Sequence, residues 1–450
     1  MAAKKPTADP LAIAQDLVAR ALKDGADAAD ALYYESISLS HAQRLGEMEN
    51  LERSESQDLG LRVFIGQRQA IVSSTDHSKA AIAALSERAV AMARAVPEDP
   101  HIGLAPEDRI VREIVDLDLV DQDEPAPEVL IERAKAAEDA ARAVKGVTNS
   151  EGGDASWGRA NIALAASNGL AGAYSSSRHG VSASVLAGEG LGMERDYDWS
   201  SAIHGADLRA AEAVGREAGE RAVRRLNPRR VETAKVPVVY DPRVAGSVLG
   251  HLASAISGVA VARGTSFLKD KMGEVLFPEA ITIIDDPHRK RGLRSKPFDG
   301  EGVVGERRAI IDKGRLTTWL LDMRSANQLG LQTTGHAARG TTAPPSPGST
   351  NLYLEPSETS RDALLADIGQ GLYVNELIGF GVNPVTGDYS RGAAGFWIEQ
   401  GELAFPVSEI TVAGNLVEMF KAVTAANDLE FRYGVDAPTL RIDGMTVAGA

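Results

Sequence analysis

Apolar and polar positions divide the chain into helical and extended stretches. Between the pair Asp9-Pro10 and Gly25, Leu11, Leu17, Ala21 and Leu22 supply one helical face, with an N-cap and first-turn proline in front and a stop behind. This predicts a first helix. The pattern then becomes extended: "DALYYESISLSHAQRLG" and "LGLRVFIGQRQAIVSST" carry β-branched and aromatic residues in alternation, with Gly66-Gln67 as a hairpin tip. A second helix over Ser78 to Val96 completes an α/β/α unit. The stretch "VDLDLVDQDEPAPE" (115–128), rich in Asp and Pro, reads as a linker, and Pro127 also suits the first turn of a helix reaching Lys145.

In the middle third, "ANIALAASNGLAGAYSSSRHGVSASVLAGEG" places apolar residues at every second position around Asn168-Gly169, a strong hairpin signal. Its small residues predict a closely packed sheet. A helix from Asp207 to Leu226 follows, and "NPRRVETAKVP" forms the joint to the last domain. Beyond it, Ile311-Asp312-Lys313-Gly314-Arg315-Leu316 and Ile398-Glu399-Gln400-Gly401-Glu402-Leu403 share one hairpin grammar. The expected fold is α+β: an N-terminal α/β domain (1–114) with antiparallel strands and helices, a linker (115–127), a central α+β region (128–232) and a β-rich C-terminal domain (237–450).

Composition narrows the function. The 450 residues, 44% hydrophobic, are enough for more than one core. With no cysteine, disulfides, thiolate nucleophiles and sulfur-ligated metals are excluded. The net charge of −15 argues against direct nucleic-acid binding, which depends on accumulated Lys and Arg. The basic clusters at 224–230 and 288–294 read as a solvated helix end and a loop. Gln15, Asp16 and Arg20 interrupt the first apolar run, and no apolar stretch is long enough to span a bilayer, so a cytoplasmic location without membrane contact is expected.

The candidate chemistry centres on "DPRVAGSVLGHLASAISGVAVARGTSF" (241–267), an amphipathic helix with His251 at the edge of the face made by Val244, Val248, Leu252 and Ala255. A helical zinc site needs two convergent imidazoles and, for hydrolysis, a carboxylate near the metal-bound water. Leu252 stands where that Glu would follow, with Ala255 and Ile256 four and five residues on. His251 therefore reads as a core or interface histidine with one polar partner. Asp285, Asp286 and His288 offer another donor set, but Asp-Asp-Pro after "AITII" reads better as a strand running into a turn. Neither a G-x-S-x-G elbow nor a phosphate-binding P-loop is present. Two glycine-rich stretches remain, "GLQTTGHAARGTT" (330–342) and "NPVTGDYSRGAAGFW" (383–397). Either they contact an extended peptide, through His336, Arg339, Asp388, Tyr389, Ser390, Arg391, Gly392 and Gly395, or they are ordered loops whose polar groups satisfy one another.

The strings "GHLASAISGVAVARGTSF", "RSKPFDGEGVVGERRAII", "TTWLLD", "GLQTTGHA", "TGDYSRGAAGFWIEQGE" and "PVSEITVAGNL" resemble the TldD/TldE family, also called the PmbA or "modulator of DNA gyrase" family, and in particular its TldE/PmbA branch. The resemblance covers roughly residues 240–420, with a weaker pattern over most of the rest. It implies one subunit of a cytosolic metallopeptidase heterodimer. Its TldD-type partner carries zinc on an H-E-x-x-x-H helix and a distant cysteine, whereas this chain holds no metal or other cofactor and supplies no catalytic residue. Unfolded, extended or leader peptides are the implied substrates, and the C-terminal domain the implied dimer interface. Two rivals stand beside this expectation: a homodimer that binds peptides or regulates gyrase-related partners without peptidase activity, and an independent hydrolase using Asp388, Ser390 or His336.

Overall fold

The computed structural model describes residues 9–449, so the expectation that the chain opens without a signal-peptide core lies, for residues 1–8, outside the described residues. The first helix, α1 (Pro10–Lys23), starts where Asp9 accepts a hydrogen bond from Leu11 N at 3.1 Å. Ala14, Leu17, Val18 and Ala21 form its buried face. Strands β1 (Ala28–Arg44) and β2 (Glu47–Ile65) make a long antiparallel hairpin, and β3 (Arg68–Ser74) returns across Gly66-Gln67. Helix α2 (Lys79–Ala95), capped by Ser78, shares one apolar cluster with α1 and the inner residues of β1 to β3.

After the linker come α3 (Pro127–Arg142), β4 (Val147–Ala166), β5 (Ala171–Ala187), β6 (Glu194–Ala202) and α4 (Ala211–Arg224). The N-terminal and central regions share a single six-stranded sheet of order β3-β2-β1-β4-β5-β6. The reason lies in β1, whose second edge would otherwise carry unpaired amides: it pairs with β4 from Asp30↔Ala166 to Gln43↔Gly153. Helices α3 and α4 cover the β4–β6 half, and they touch closely because Gly215 has no side chain. A Cβ there would lie 1.9 Å from the Ala137 carbonyl oxygen. The expected start of α4 at Asp207 is corrected to Ala211, with only a short 3-10 turn over Gly205–Asp207. Arg291 holds the Asp207 carboxylate at 2.9 Å and Ser200 Oγ accepts from Arg209 N at 3.1 Å, which pins this segment before the helix can begin.

The last domain opens with β7 (Ala234–Tyr240), α5 (Pro242–Ala255) and α6 (Gly258–Ala262). A smaller set follows: β8 (Ile283–Asp286), β9 (Arg308–Asp312), β10 (Arg315–Leu316), α7 (Met323–Leu329), β11 (Ala337–Ala338), β12 (Ser346–Pro347), β13 (Asn351–Leu354) and α8 (Arg361–Leu365). It ends with β14 (Gln370–Ile378), β15 (Asp388–Glu399), β16 (Glu402–Asn415), α9 (Leu416–Lys421), β17 (Val423–Ala425), β18 (Val435–Asp436) and β19 (Leu440–Ala448). Both hairpins expected here form, and their tips Lys313-Gly314 (φ 45° and 80°) and Gln400-Gly401 (φ 49° and 83°) have the paired positive φ that a two-residue hairpin turn requires. Strands β16, β15, β14, β7 and β19 are neighbours in that order, and β16 pairs back onto β19, closing a barrel. Closure leaves no open edge among these five strands. Barrel residues Val238, Tyr240, Val374, Val412 and Val447 join the buried face of α5 in one core. The fold is therefore α+β with a β-rich C-terminal domain. Among the described residues no helix is long and apolar enough to cross a membrane.

Candidate functional site

Helix α5 is aimed by its first turn. Asp241 accepts from Arg243 N at 2.9 Å, Pro242 presets the helical φ, and Tyr373 donates to the second oxygen of Asp241 at 2.6 Å. Ala245, Val248, Leu249, Leu252 and Ala255 then enter the core, leaving His251 at the margin of the buried face. Its ring meets Tyr389 of β15 edge-on, with centroids 5.7 Å apart and an interplanar angle of 76°. Tyr389 Oη lies 3.4 Å from Tyr240 Oη, which lies 3.5 Å from Met445 Sδ. Arg391, two residues along β15 from Tyr389, brings a positive charge towards the imidazole.

Burial, and after it the Arg391 charge, push the His251 pKa down to about 4. The expected polar partner is missing at Nε2, which is buried without one in a ring packed edge-on against Tyr389. At neutral pH the ring is an uncharged imidazole. Since it titrates below its unfolded value of about 6.5, its stabilising contribution is complete above that pH and is lost as the pH falls towards about 4. His251→Phe keeps the aromatic contact and removes the titration. Thermal melts taken at steps across this window should show a smaller loss for the variant than for the wild type, whereas equal losses would mean that the ring is not desolvated.

A zinc ion does not fit here. Leu252 and Ile256 are fully buried in the barrel core, so neither the carboxylate nor the second imidazole of a helical site is available, and a guanidinium beside the ring repels a cation. Among the described residues no group of three or more His, Asp or Glu is placed to hold a metal. Asp285 and Asp286 end β8, and their carboxylates already accept hydrogen bonds from this chain. Asp285 takes hydrogen bonds from Thr350 N at 2.7 Å and from the Thr350 hydroxyl, while Asp286 accepts from His288 N at 3.0 Å in the turn that follows.

The stretch around 335–340 turns inward. His336 is 2% exposed, with Nδ1 2.8 Å from Thr334 Oγ1 and Nε2 3.3 Å from Asp285 Oδ1. Arg339 reaches across to the first sheet and donates to Asp30 Oδ1 of β1 at 2.7 Å. Arg62 of β2 donates from Nε to Asp30 Oδ2 at 2.8 Å and approaches Glu301 at 3.5 Å. Burial alone would raise the Asp30 pKa, but Arg339 and Arg62 outweigh it and hold the carboxyl below its ordinary value. Burial dominates at Glu301 and, against Arg62, pushes it up to about 8. Asp30, Arg62 and Glu301 escaped the sequence reading, since their partners lie far away along the chain and their spacing carries no motif.

The stretch 387–395 is divided between surface and core. Asp388 and Ser390 are exposed, Arg391 is half-buried, and Tyr389 is 2% exposed. Thr386 and Asn415 donate to the Asp388 carboxylate at 2.6 and 3.2 Å, which lowers its pKa. The backbone N–H of Ser390 donates to Gly381 O at 2.6 Å. Gly392 faces the Ile378 side chain, where a Cβ would find contact at 3.3 Å. At Gly395 a Cβ would lie 1.9 Å from the Tyr373 carbonyl oxygen, so the backbone that glycine admits there is that of β14 at its bulge, and not that of a peptide.

A sheet covered by four helices and joined to a closed barrel that carries a histidine-bearing helix defines the class to which the molecule is similar. A modulator-of-DNA-gyrase structure from Bacteroides thetaiotaomicron matches it with a TM-score of 0.90 at 28% identity, covering 99% of this chain and 100% of that one. TldE from Thermococcus kodakarensis shares the fold with a TM-score of 0.87 at 20% identity, over 97% and 100%. Three family models match in succession: PmbA/TldA metallopeptidase domain 1 (29–93), the central domain (121–226) and the C-terminal domain (233–449). Metalloprotease PmbA of Escherichia coli O157:H7 is 41% identical over 425 residues, 94% of this chain and 92% of that protein. A PmbA homologue of Haemophilus influenzae is 37% identical over 432 residues, 95% and 94%. The chain belongs to the PmbA/TldA metallopeptidase family.

Proposed function

We propose that this chain is the metal-free, TldE/PmbA-type subunit of a cytoplasmic peptidase heterodimer, in which a TldD-type partner holds the zinc and this chain closes the peptide-binding chamber. The observation that carries the reading is His251: a single desolvated imidazole beside Arg391, with Leu252 and Ile256 in the core where co-ligands would stand. The residues of 387–395 that remain accessible supply the contact surface. Arg391, half-buried beside Tyr389, donates from the part of its guanidinium that reaches the surface to a carbonyl of an extended peptide, while the exposed Asp388 and Ser390 line its path. A closed chamber admits only extended chains, because pairing with strand backbone requires a strand-like substrate. His336 and Arg339 serve the protein's own packing in this account.

The test is reconstitution. A tagged TldD-type protein co-expressed with this chain should retain it through purification, and metal analysis of the separated subunits should find zinc in the partner alone. In that complex Arg391→Gln should lower cleavage of an unfolded peptide about tenfold, the equivalent of roughly 1.4 kcal/mol, with assembly and melting temperature unchanged. Stoichiometric zinc in this chain, lost on His251→Ala, refutes the metal-free assignment. Full cleavage by a well-folded Arg391→Gln complex refutes the contact.

A further inference from the structure

A second site lies on the opposite face of the barrel wall from His251. Along β14, Leu372 and Val374 enter the barrel core with α5, whereas Tyr373 belongs to a separate cluster with Val239, Leu364 and Ile398. On that outer face, a cavity of about 170 Å³ opens between α4 and the barrel, bounded on one side by Arg221 and Arg224 and on the other by Arg243, Arg361, Tyr373 and Asn375. The carboxylates nearby already have partners. Arg221 takes Asp198 at 3.0 Å and Glu217 at 2.8 Å, and Arg243 takes Asp196 at 2.7 Å. Asp241, also on the wall, receives Arg243 N and the Tyr373 hydroxyl.

Three polar groups on the wall lack such partners. Among the described residues no carboxylate pairs with Arg224 or Arg361. Each guanidinium instead lies over an aromatic ring, Arg224 at 5.8 Å from the Phe396 centroid and Arg361 at 5.0 Å from that of Tyr373. Stacking uses the face of a guanidinium and leaves its in-plane N–H donors free. Arg361 Nε is buried without an acceptor, and so is Asn375 Oδ1 without a donor, in a residue only 8% exposed. A buried polar atom left unpaired is costly, so the Arg361 donor and the Asn375 acceptor, with the exposed guanidinium of Arg224 on the same wall, describe the ligand that would satisfy them.

We propose that this cavity binds a phosphate-class oxyanion, either free phosphate or a small phosphomonoester. The two guanidinium groups supply charge-assisted donors in the fork geometry that suits phosphoryl oxygens. Asn375 Oδ1 favours phosphate over carboxylate, because a singly protonated phosphate carries a P–O–H donor near neutral pH and an ionised carboxylate carries none. The site bridges α4 of the central region and the C-terminal barrel, so its occupancy ties the two together. It is separate from the peptide contact proposed above and holds whether or not that reading does.

The full-length chain should be titrated with inorganic phosphate against sodium chloride of matched ionic strength, by calorimetry and thermal melting. Saturable heat and a melting temperature raised by phosphate but not by chloride are expected. Arg224→Gln and Arg361→Gln, checked to melt normally in chloride, should each weaken phosphate binding about tenfold, as expected for losing a charge-assisted contact. No saturable binding at millimolar phosphate, or undiminished binding in both variants, overturns the proposal. Acetate binding as well as phosphate would also overturn it, by assigning the site to carboxylates. A phosphomonoester that competes with free phosphate identifies the esterified form as a ligand, and failure to compete restricts the site to the free ion.

Discussion

Arg339→Ala should destabilise the chain by about 3 to 5 kcal/mol, the range observed when one partner of a buried ion pair is removed. The guanidinium is nearly inaccessible and donates to Asp30 Oδ1 at 2.7 Å, joining the barrel domain to the first sheet. Without it Asp30 remains buried, with Arg62 as its only cationic neighbour among those that now hold its pKa down, and Arg62 is shared with Glu301. The loss is the desolvation of a carboxylate left short of charge, and it exceeds the worth of the hydrogen bond itself. Urea denaturation measures it, and a double-mutant cycle with Asp30→Asn assigns it: the second substitution should recover part of the loss, because the neutral amide no longer needs the missing cation. A loss below about 1 kcal/mol, typical of an exposed pair, would show that water reaches this cluster.

Gly395→Val should be at least as damaging to the barrel, and for a reason different from blocked peptide approach. The new Cβ would lie 1.9 Å from the Tyr373 carbonyl oxygen and 3.0 Å from Val374 Cα, both backbone atoms that no side-chain rotation can move. Strands β14 and β15 would have to separate at their bulge, between the Val374↔Gly395 and Glu376↔Ala394 pairs. A loss of about 3 kcal/mol or more is expected, at or beyond the upper end for overpacking, because backbone and not a rotamer must yield. Melting temperature and peptide cleavage should fall in step. A Gly395→Val protein that melts like the wild type yet fails to cleave with its partner would return this glycine to the substrate path. The contrast with Arg391→Gln, which should lose cleavage without losing stability, separates a residue that builds the wall from the proposed peptide contact.

Much of the local architecture could be read from the sequence because its causes are local. Asp9-Pro10 and Ser78 start helices through their own side chains and φ preference, and Gly66, Asn168-Gly169, Lys313-Gly314 and Gln400-Gly401 turn hairpins through conformations available to a few neighbouring residues. The want of a helical zinc set around His251 was equally legible, being a matter of which residues stand one and five positions on. What the sequence could not supply were the meetings between distant elements. The pairing of β1 with β4 merges two expected regions into one sheet, and β16 on β19 closes the barrel. The same folding takes Arg339 to Asp30, sets Tyr389 against His251, and brings Arg224 and Arg361 to the lining of one cavity. Spacing along a chain determines which side chains share a face of one helix or strand. Which faces then meet depends on long-range pairing and on burial shared by the whole core, and burial, more than residue type, decides whether an arginine such as Arg339 holds two domains together or stays at the surface.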